Sequence, residues 1–70
     1  MHEDVNEAIG AAAGKVWKYL SENGQASPST LSKRAGLDNN EVQRALGWLA
    51  REGKITVARK GKDELISLLF

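Results

Sequence analysis

Asn39, Asn40, Gln43 and Arg44 stand within six positions of one another, and their side chains are the types that read base edges. Asn and Gln carry an amide donor beside a carbonyl acceptor, the pair that matches adenine. Arg carries parallel N–H groups that match guanine. Arg51 follows on the same expected surface. Lys33, Arg34, Arg59, Lys60 and Lys62 are further cations of the kind that meet phosphates. Two acids oppose this reading: Asp38 and Glu41 sit at the head of the same stretch and repel phosphate. Asn, Gln and Arg are also ordinary residues of a solvated helix, so the elements that position them have to decide.

Asp38 is placed to cap a helix, and Glu41, three residues on, completes a capping box. That gives both acids a role without any ligand. Val42, Ala45, Leu46 and Leu49 recur at the spacing of one buried helical face. Asn40, Arg44, Gly47 and Arg51 then fall opposite, with Asn39 and Gln43 flanking. Gly53 stands where a helix ends, with Arg51 in the last turn. Upstream, Ser27 caps a second helix with Pro28 at its first position, where the missing N–H costs nothing. Its Leu31 and Ala35 face inward, and Lys33 and Arg34 face out. Gly36 ends it and Leu37 plugs the turn, a connection short enough for a helix-turn-helix.

After Gly53 the period changes. Ile55 and Val57 alternate with Thr56 and Ala58, as in a half-buried strand. Arg59-Lys60-Gly61-Lys62-Asp63 reads as a hairpin loop centred on its glycine. Leu65 to Phe70 is the return strand, with Ile66, Leu68 and Phe70 on one face and Leu65 and Leu69 on the other. Apolar residues on both faces imply either helices wrapped around the strand or a partner at this edge.

The first helix is expected to start at Asp4, with Glu7 as a second box partner, and to reach Asn23, where Gly24 ends it. Its main stripe is Val5, Ile9, Ala12, Val16, Tyr19 and Leu20, and Gly10, Ala13, Gly14 and Trp17 form a second cluster beside it. Gly10 and Gly14 each weaken a helix by roughly 1 kcal/mol relative to Ala. Close approach of the domain's own helices is the better reason for them; a second subunit is the other. Trp17, Tyr19 and Trp48 suit either a stacking platform for single-stranded nucleic acid or the core. Their helical spacing beside apolar stripes favours the core. Gly47 suggests a close helix crossing. Gln25 to Ser27 is a short extended link able to add a strand to a small sheet.

Seventy residues point to one domain over 1–70 with a modest core. No cysteine is present, and the one histidine, His2, is expected at a solvated chain end. With no second histidine, no thiol and no carboxylate pair in an apolar setting, catalysis has no support; no cofactor or metal is implied. Gly10 to Gly14 lacks the Lys and Ser/Thr of a phosphate-binding loop and lies within a helix. The acidic N-terminus is unlike a secretory leader, and no apolar run approaches membrane-spanning length. A cytoplasmic protein is expected. Net charge is only +1, yet ten basic against four acidic residues fall between Lys15 and Lys62, a local charge of +6. Such asymmetry suits a polyanion and equally suits an ordinary solvated surface.

The element order is helix, short strand, helix, tight turn, helix, strand, loop, strand. It describes an α+β winged helix-turn-helix, three helices plus a small antiparallel sheet whose hairpin is the wing. The run Leu31-Ser32-Lys33-Arg34-Ala35-Gly36-Leu37, with Val42, Arg44, Leu46, Leu49, Gly53 and Ile55, resembles prokaryotic winged helix regulators. Ala45-Leu46-Gly47-Trp48-Leu49-Ala50-Arg51-Glu52-Gly53-Lys54-Ile55, with Ala13-Gly14-Lys15-Val16-Trp17, resembles a family of short stand-alone prokaryotic winged helix proteins of unknown function. The likeness spans nearly the whole chain. It implies duplex DNA binding and a role in transcription regulation. Asn39, Asn40, Gln43 and Arg44 would contact bases, and Lys33, Arg34, Arg51, Arg59, Lys60 and Lys62 phosphates. The rival expectation is a protein-interaction module on the same scaffold. A homodimer through Gly10, Gly14 and Trp17, or through the Leu65–Phe70 strand, fits either.

Overall fold

The computed structural model describes residues 5–69. The expected Asp4 cap, His2 and Phe70 lie outside the described residues. Helix α1 spans Val5–Asn23, α2 Pro28–Ala35 and α3 Asn39–Arg51; strands β1 and β2 span Ile55–Lys60 and Asp63–Leu68. The fold is a winged helix-turn-helix, with the helices packed on one face of a two-stranded antiparallel sheet.

Each boundary has a local cause. The main chain of α1 stops as the Gly24 N–H bonds to the Leu20 carbonyl at 2.8 Å. Ser27 starts α2, its hydroxyl accepting the Thr30 N–H at 3.2 Å. Between them, Ala26 exchanges two backbone bonds with Ile66, at 3.1 and 2.8 Å. The extended link therefore does join the sheet, as a single bridging residue. Residues 55–60 pair with 68–63 in register, from Ile55 opposite Leu68 to Lys60 opposite Asp63. The hairpin is tighter than the sequence suggests: Arg59 and Lys60 belong to β1 and Asp63 to β2, leaving Gly61-Lys62 as the turn. Gly61 takes a φ of 66°, the left-handed value that two-residue hairpin turns need. Arg59 faces Glu64 and Lys60 faces Asp63 across the strands, placements that favour the longer pairing.

The core gathers Ala12, Ala13, Val16 and Leu20 of α1, Leu31 of α2, Leu37 of the turn, Val42, Ala45, Leu46 and Leu49 of α3, and Ile55 and Ile66 of the sheet. Leu31, Val16, Val42 and Ile66 are sealed from solvent. Helix α1 packs chiefly on α3 and also meets α2 and β2. The helices thus cover the Ile66 face of β2, while Leu65 is half-buried and Leu69, past the strand's end, is exposed.

Three expectations about the interior fail. Trp17 is 46 % exposed and Trp48 40 %, so neither is a core residue, whereas Tyr19 is half-buried against the core. Gly47 marks no helix crossing, and Gly10 and Gly14 meet no neighbouring helix. A Cβ built at any of the three finds no atom within 4 Å. The reason is supply: the α1–α3 contact has wide apolar flanks, and no further element of the described residues lies over them.

Candidate nucleic-acid interface

Helix α3 is held at both ends and along one side, which leaves its outer face rigidly presented. At its start, the Asp38 carboxylate accepts the Glu41 N–H at 2.7 Å, and the Glu41 carboxylate accepts the Asp38 N–H at 3.1 Å. Both acids are thus engaged by the helix's own free N–H groups, where the helix dipole also favours negative charge. At its end, the Gly53 N–H bonds to the Ala50 carbonyl and the Lys54 N–H to the Leu49 carbonyl, each at 3.0 Å. This crossed pair turns the chain directly into β1 and needs the positive φ of 69° that Gly53 supplies.

The turn before α3 is fastened by a bond that spacing and periodicity do not reveal. The Ser32 hydroxyl donates to the Leu37 carbonyl at 2.6 Å, and the Leu37 N–H returns a bond to the Ser32 carbonyl at 3.1 Å. Leu37 itself is buried. These bonds fix the angle between α2 and α3. The signal in the sequence is a serine inside a short helix, one turn before its terminal glycine, where its hydroxyl reaches past the helix end.

Asn39, Asn40, Gln43, Arg44 and Arg51 are all exposed, on the side of α3 away from Val42, Ala45, Leu46 and Leu49. Gln43, Arg44 and Arg51 come together with Ile9, Gly47 and Trp48 around a surface hollow of about 260 Å³. Lys33 and Arg34 are exposed on α2. Arg34 groups instead with Lys15 and Lys18 of α1 beside Tyr19, Glu22 and Ala35. Arg59 and Lys60 lie on β1 and Lys62 at the tip of the hairpin, all exposed. Among the described residues, neither the Arg44 nor the Arg51 side chain has a hydrogen bond or ion pair.

No polar or charged side chain of the described residues is buried, and no three of their His, Cys, Asp or Glu side chains gather where a metal could bind. The polar chemistry of this chain is therefore laid out on open surface, which suits a macromolecular partner better than an enclosed small molecule. No helix of the described residues is long and apolar enough to cross a membrane. Another surface hollow, of about 200 Å³, is lined by Gly10, Ala13, Gly14 and Trp17 of α1, Trp48 and Leu49 of α3, and Lys54.

Comparison with known proteins agrees with this fold. The model of a winged helix-turn-helix domain family, DUF2582, matches residues 1–68. The uncharacterized protein MJ1608 of Methanocaldococcus jannaschii is 42 % identical over 69 residues, which are 94 % of this chain and 97 % of that protein. The solution structure of BT2368 from Bacteroides thetaiotaomicron superposes with a TM-score of 0.85 at 35 % identity, over 93 % of this chain and 79 % of the other. The Zalpha domain of PKZ from Carassius auratus, solved in complex with Z-DNA, superposes with a TM-score of 0.80 at 27 % identity, over 89 % and 98 %. A structure of the DNA recognition and protein interaction domains of HOP2 follows at a TM-score of 0.67 and 35 % identity, over 81 % and 97 %.

Proposed function

Because this chain belongs to the winged helix-turn-helix domain family DUF2582, we propose that it is a DNA-binding module, a single domain over residues 1–70 that acts in the cytoplasm in transcription regulation. Helix α3 enters the major groove. Asn39, Asn40, Gln43 and Arg44 contact base edges, while Arg51 and Lys33 and Arg34 of α2 contact phosphates. Arg59, Lys60 and Lys62 of the wing lie along the backbone of the duplex. The observation that carries this reading is the outer face of α3, where Gln43, Arg44 and Arg51 are exposed and the two guanidinium groups have no partner among the described residues. Support comes from the Zalpha domain of the same fold, whose structure holds Z-DNA. The engagement of Asp38 and Glu41 by the helix N-terminus also weakens the objection that these acids repel phosphate.

Binding to a mixed-sequence duplex, measured across a series of salt concentrations, tests the reading. The double substitution Arg44→Ala and Lys60→Ala is expected to weaken binding. It is also expected to lower the slope of log affinity against log salt by about one for each phosphate that is no longer neutralised. An unchanged affinity and slope would refute the assignment.

A second reading is favoured by one observation, the exposed Trp17 beside the hollow over Gly10 and Gly14. In that reading the scaffold serves protein contacts, the simplest being a homodimer through Gly10, Gly14 and Trp17 or through residues 65–70. Sedimentation showing a strict monomer at high concentration removes the homodimer.

A further inference from the structure

Gly47 lies in the middle of α3, on the exposed side. A glycine inside a helix costs about 1 kcal/mol relative to alanine. Nothing within the chain calls for one here, since an added Cβ would meet no atom within 4 Å. Its absent side chain leaves space in the shallow hollow of about 260 Å³ that Gly47 lines on the outer face of α3. Trp48, 40 % exposed, lines the same hollow. Gln43 and Arg44 precede the glycine by one helical turn and Arg51 follows it by one. The two arginines therefore leave the helix about 10 Å apart along its axis, one on each side of Gly47.

This set of groups selects its occupant. An indole face favours a flat, polarisable ring. Two guanidinium groups without an ion pair among the described residues favour an anion near each, and each can take two phosphate oxygens. The amide of Gln43 can pair with a polar ring edge. A carboxylate peptide would satisfy the cations and leave the ring uncovered, and an apolar side chain would do the reverse. A nucleobase carried between two phosphates answers all three. A base inside a duplex does not, because its neighbours already cover both faces.

We propose that the hollow over Gly47 binds one unpaired nucleotide of a nucleic-acid strand. The base stacks on Trp48, the Gln43 amide meets its edge, and the flanking phosphates pair with Arg51 and with Arg44, which takes a phosphate here in place of the base edge it meets in a duplex. This is the combination of aromatic platform and cationic track by which single strands are held. The inference rests on α3 being the nucleic-acid face and adds to it a preference for single-stranded ends, bulges and opened sites.

The test uses the full chain carrying Trp17→Phe, so that Trp48 is the fluorescent reporter. Ten-residue oligomers of deoxythymidine and of uridine are titrated in, alongside a fully paired duplex of equal length. Saturable quenching by either oligomer is expected, and the stronger of the two tells a DNA strand from an RNA strand as the source. Trp48→Ala is expected to weaken single-strand binding roughly tenfold or more. Gly47→Leu fills the hollow with a better helix former, has room for its first atoms, and is expected to weaken binding as much while melting no lower than the parent. No quenching by either oligomer, or undiminished single-strand binding by Gly47→Leu, overturns the proposal. If the duplex still binds in that case, with the salt dependence described above, only the unpaired-nucleotide site has failed; if neither ligand binds, the DNA-binding reading fails with it.

Discussion

Gly53, at the end of α3, and Gly47, in its middle, are six positions apart and stand for two differently built regions. The first belongs to the helix-turn-helix and its exit into the wing, where the chain supplies its own polar partners. Asp38 and Glu41 exchange backbone bonds, Ser32 ties to Leu37, and Gly53 carries the positive φ that lets the Gly53 and Lys54 N–H groups turn back onto the helix. The second is the flank of α1 and α3 that bears Gly10, Gly14, Trp17, Gly47 and Trp48. There, the glycines hold ordinary helical backbone that any residue can adopt, and two large aromatic rings are nearly half exposed. Residues of the first region are accounted for by the chain alone. The glycines of the second weaken their helices with no backbone conformation that requires them.

Four substitutions can break that contrast or sharpen it. Leu31→Ala should have the largest effect, since Leu31 is sealed between α2 and the rest of the core. A loss of about 2–5 kcal/mol in a denaturant titration is expected, and a loss well below that range would mean that α2 is not held by burial. Gly53→Ala forces a side chain into left-handed backbone and should cost about 1–2 kcal/mol. Asp38→Ala removes half of the capping box and should cost about 1 kcal/mol, with hydrogen exchange rising first at the amide of Glu41. Gly47→Ala should do the opposite of Gly53→Ala and raise stability, by up to about 1 kcal/mol. A thermal melt in which Gly47→Ala and Gly53→Ala move in the same direction would remove the distinction between the two glycines.

The sequence is most informative where structure is decided locally. Asp38 and Glu41 three apart, Ser27 before Pro28, Gly36 before Leu37, and Gly53 before an alternating run are short-range signals, and each marks a boundary that the backbone shows. The α+β winged helix-turn-helix follows from their order, and the family match agrees with the resemblance carried by residues 45–55. The candidate residues on α3 are legible for the same reason: the spacing of Val42, Ala45, Leu46 and Leu49 places Asn40, Arg44 and Arg51 opposite them. Trp17 and Trp48 escape it because periodicity locates the middle of an apolar arc and says little about its edges. Val16 and Leu49, one position away from each, are buried. Whether the next residue round the helix is covered depends on a neighbour that local spacing does not encode. The grouping of Arg34 with Lys15 and Lys18, away from α3, is likewise set by how α2 crosses α1.

Strand β2 is paired with β1 on one side and meets Ala26 on the other, whereas among the described residues nothing pairs with the outer edge of β1. Such an edge is a template on which a strand from another molecule can add, and a positive charge along it is a common defence against self-association. Arg59 and Lys60 are the cations of that edge, and they are also the ones assigned to the DNA backbone. The same two side chains would then keep copies of the protein apart in free solution and bring it to its polyanion. Neutralising them for a binding study removes both effects at once, so a loss of affinity in such a variant has to be measured together with its colloidal stability before it is credited to a missing phosphate partner.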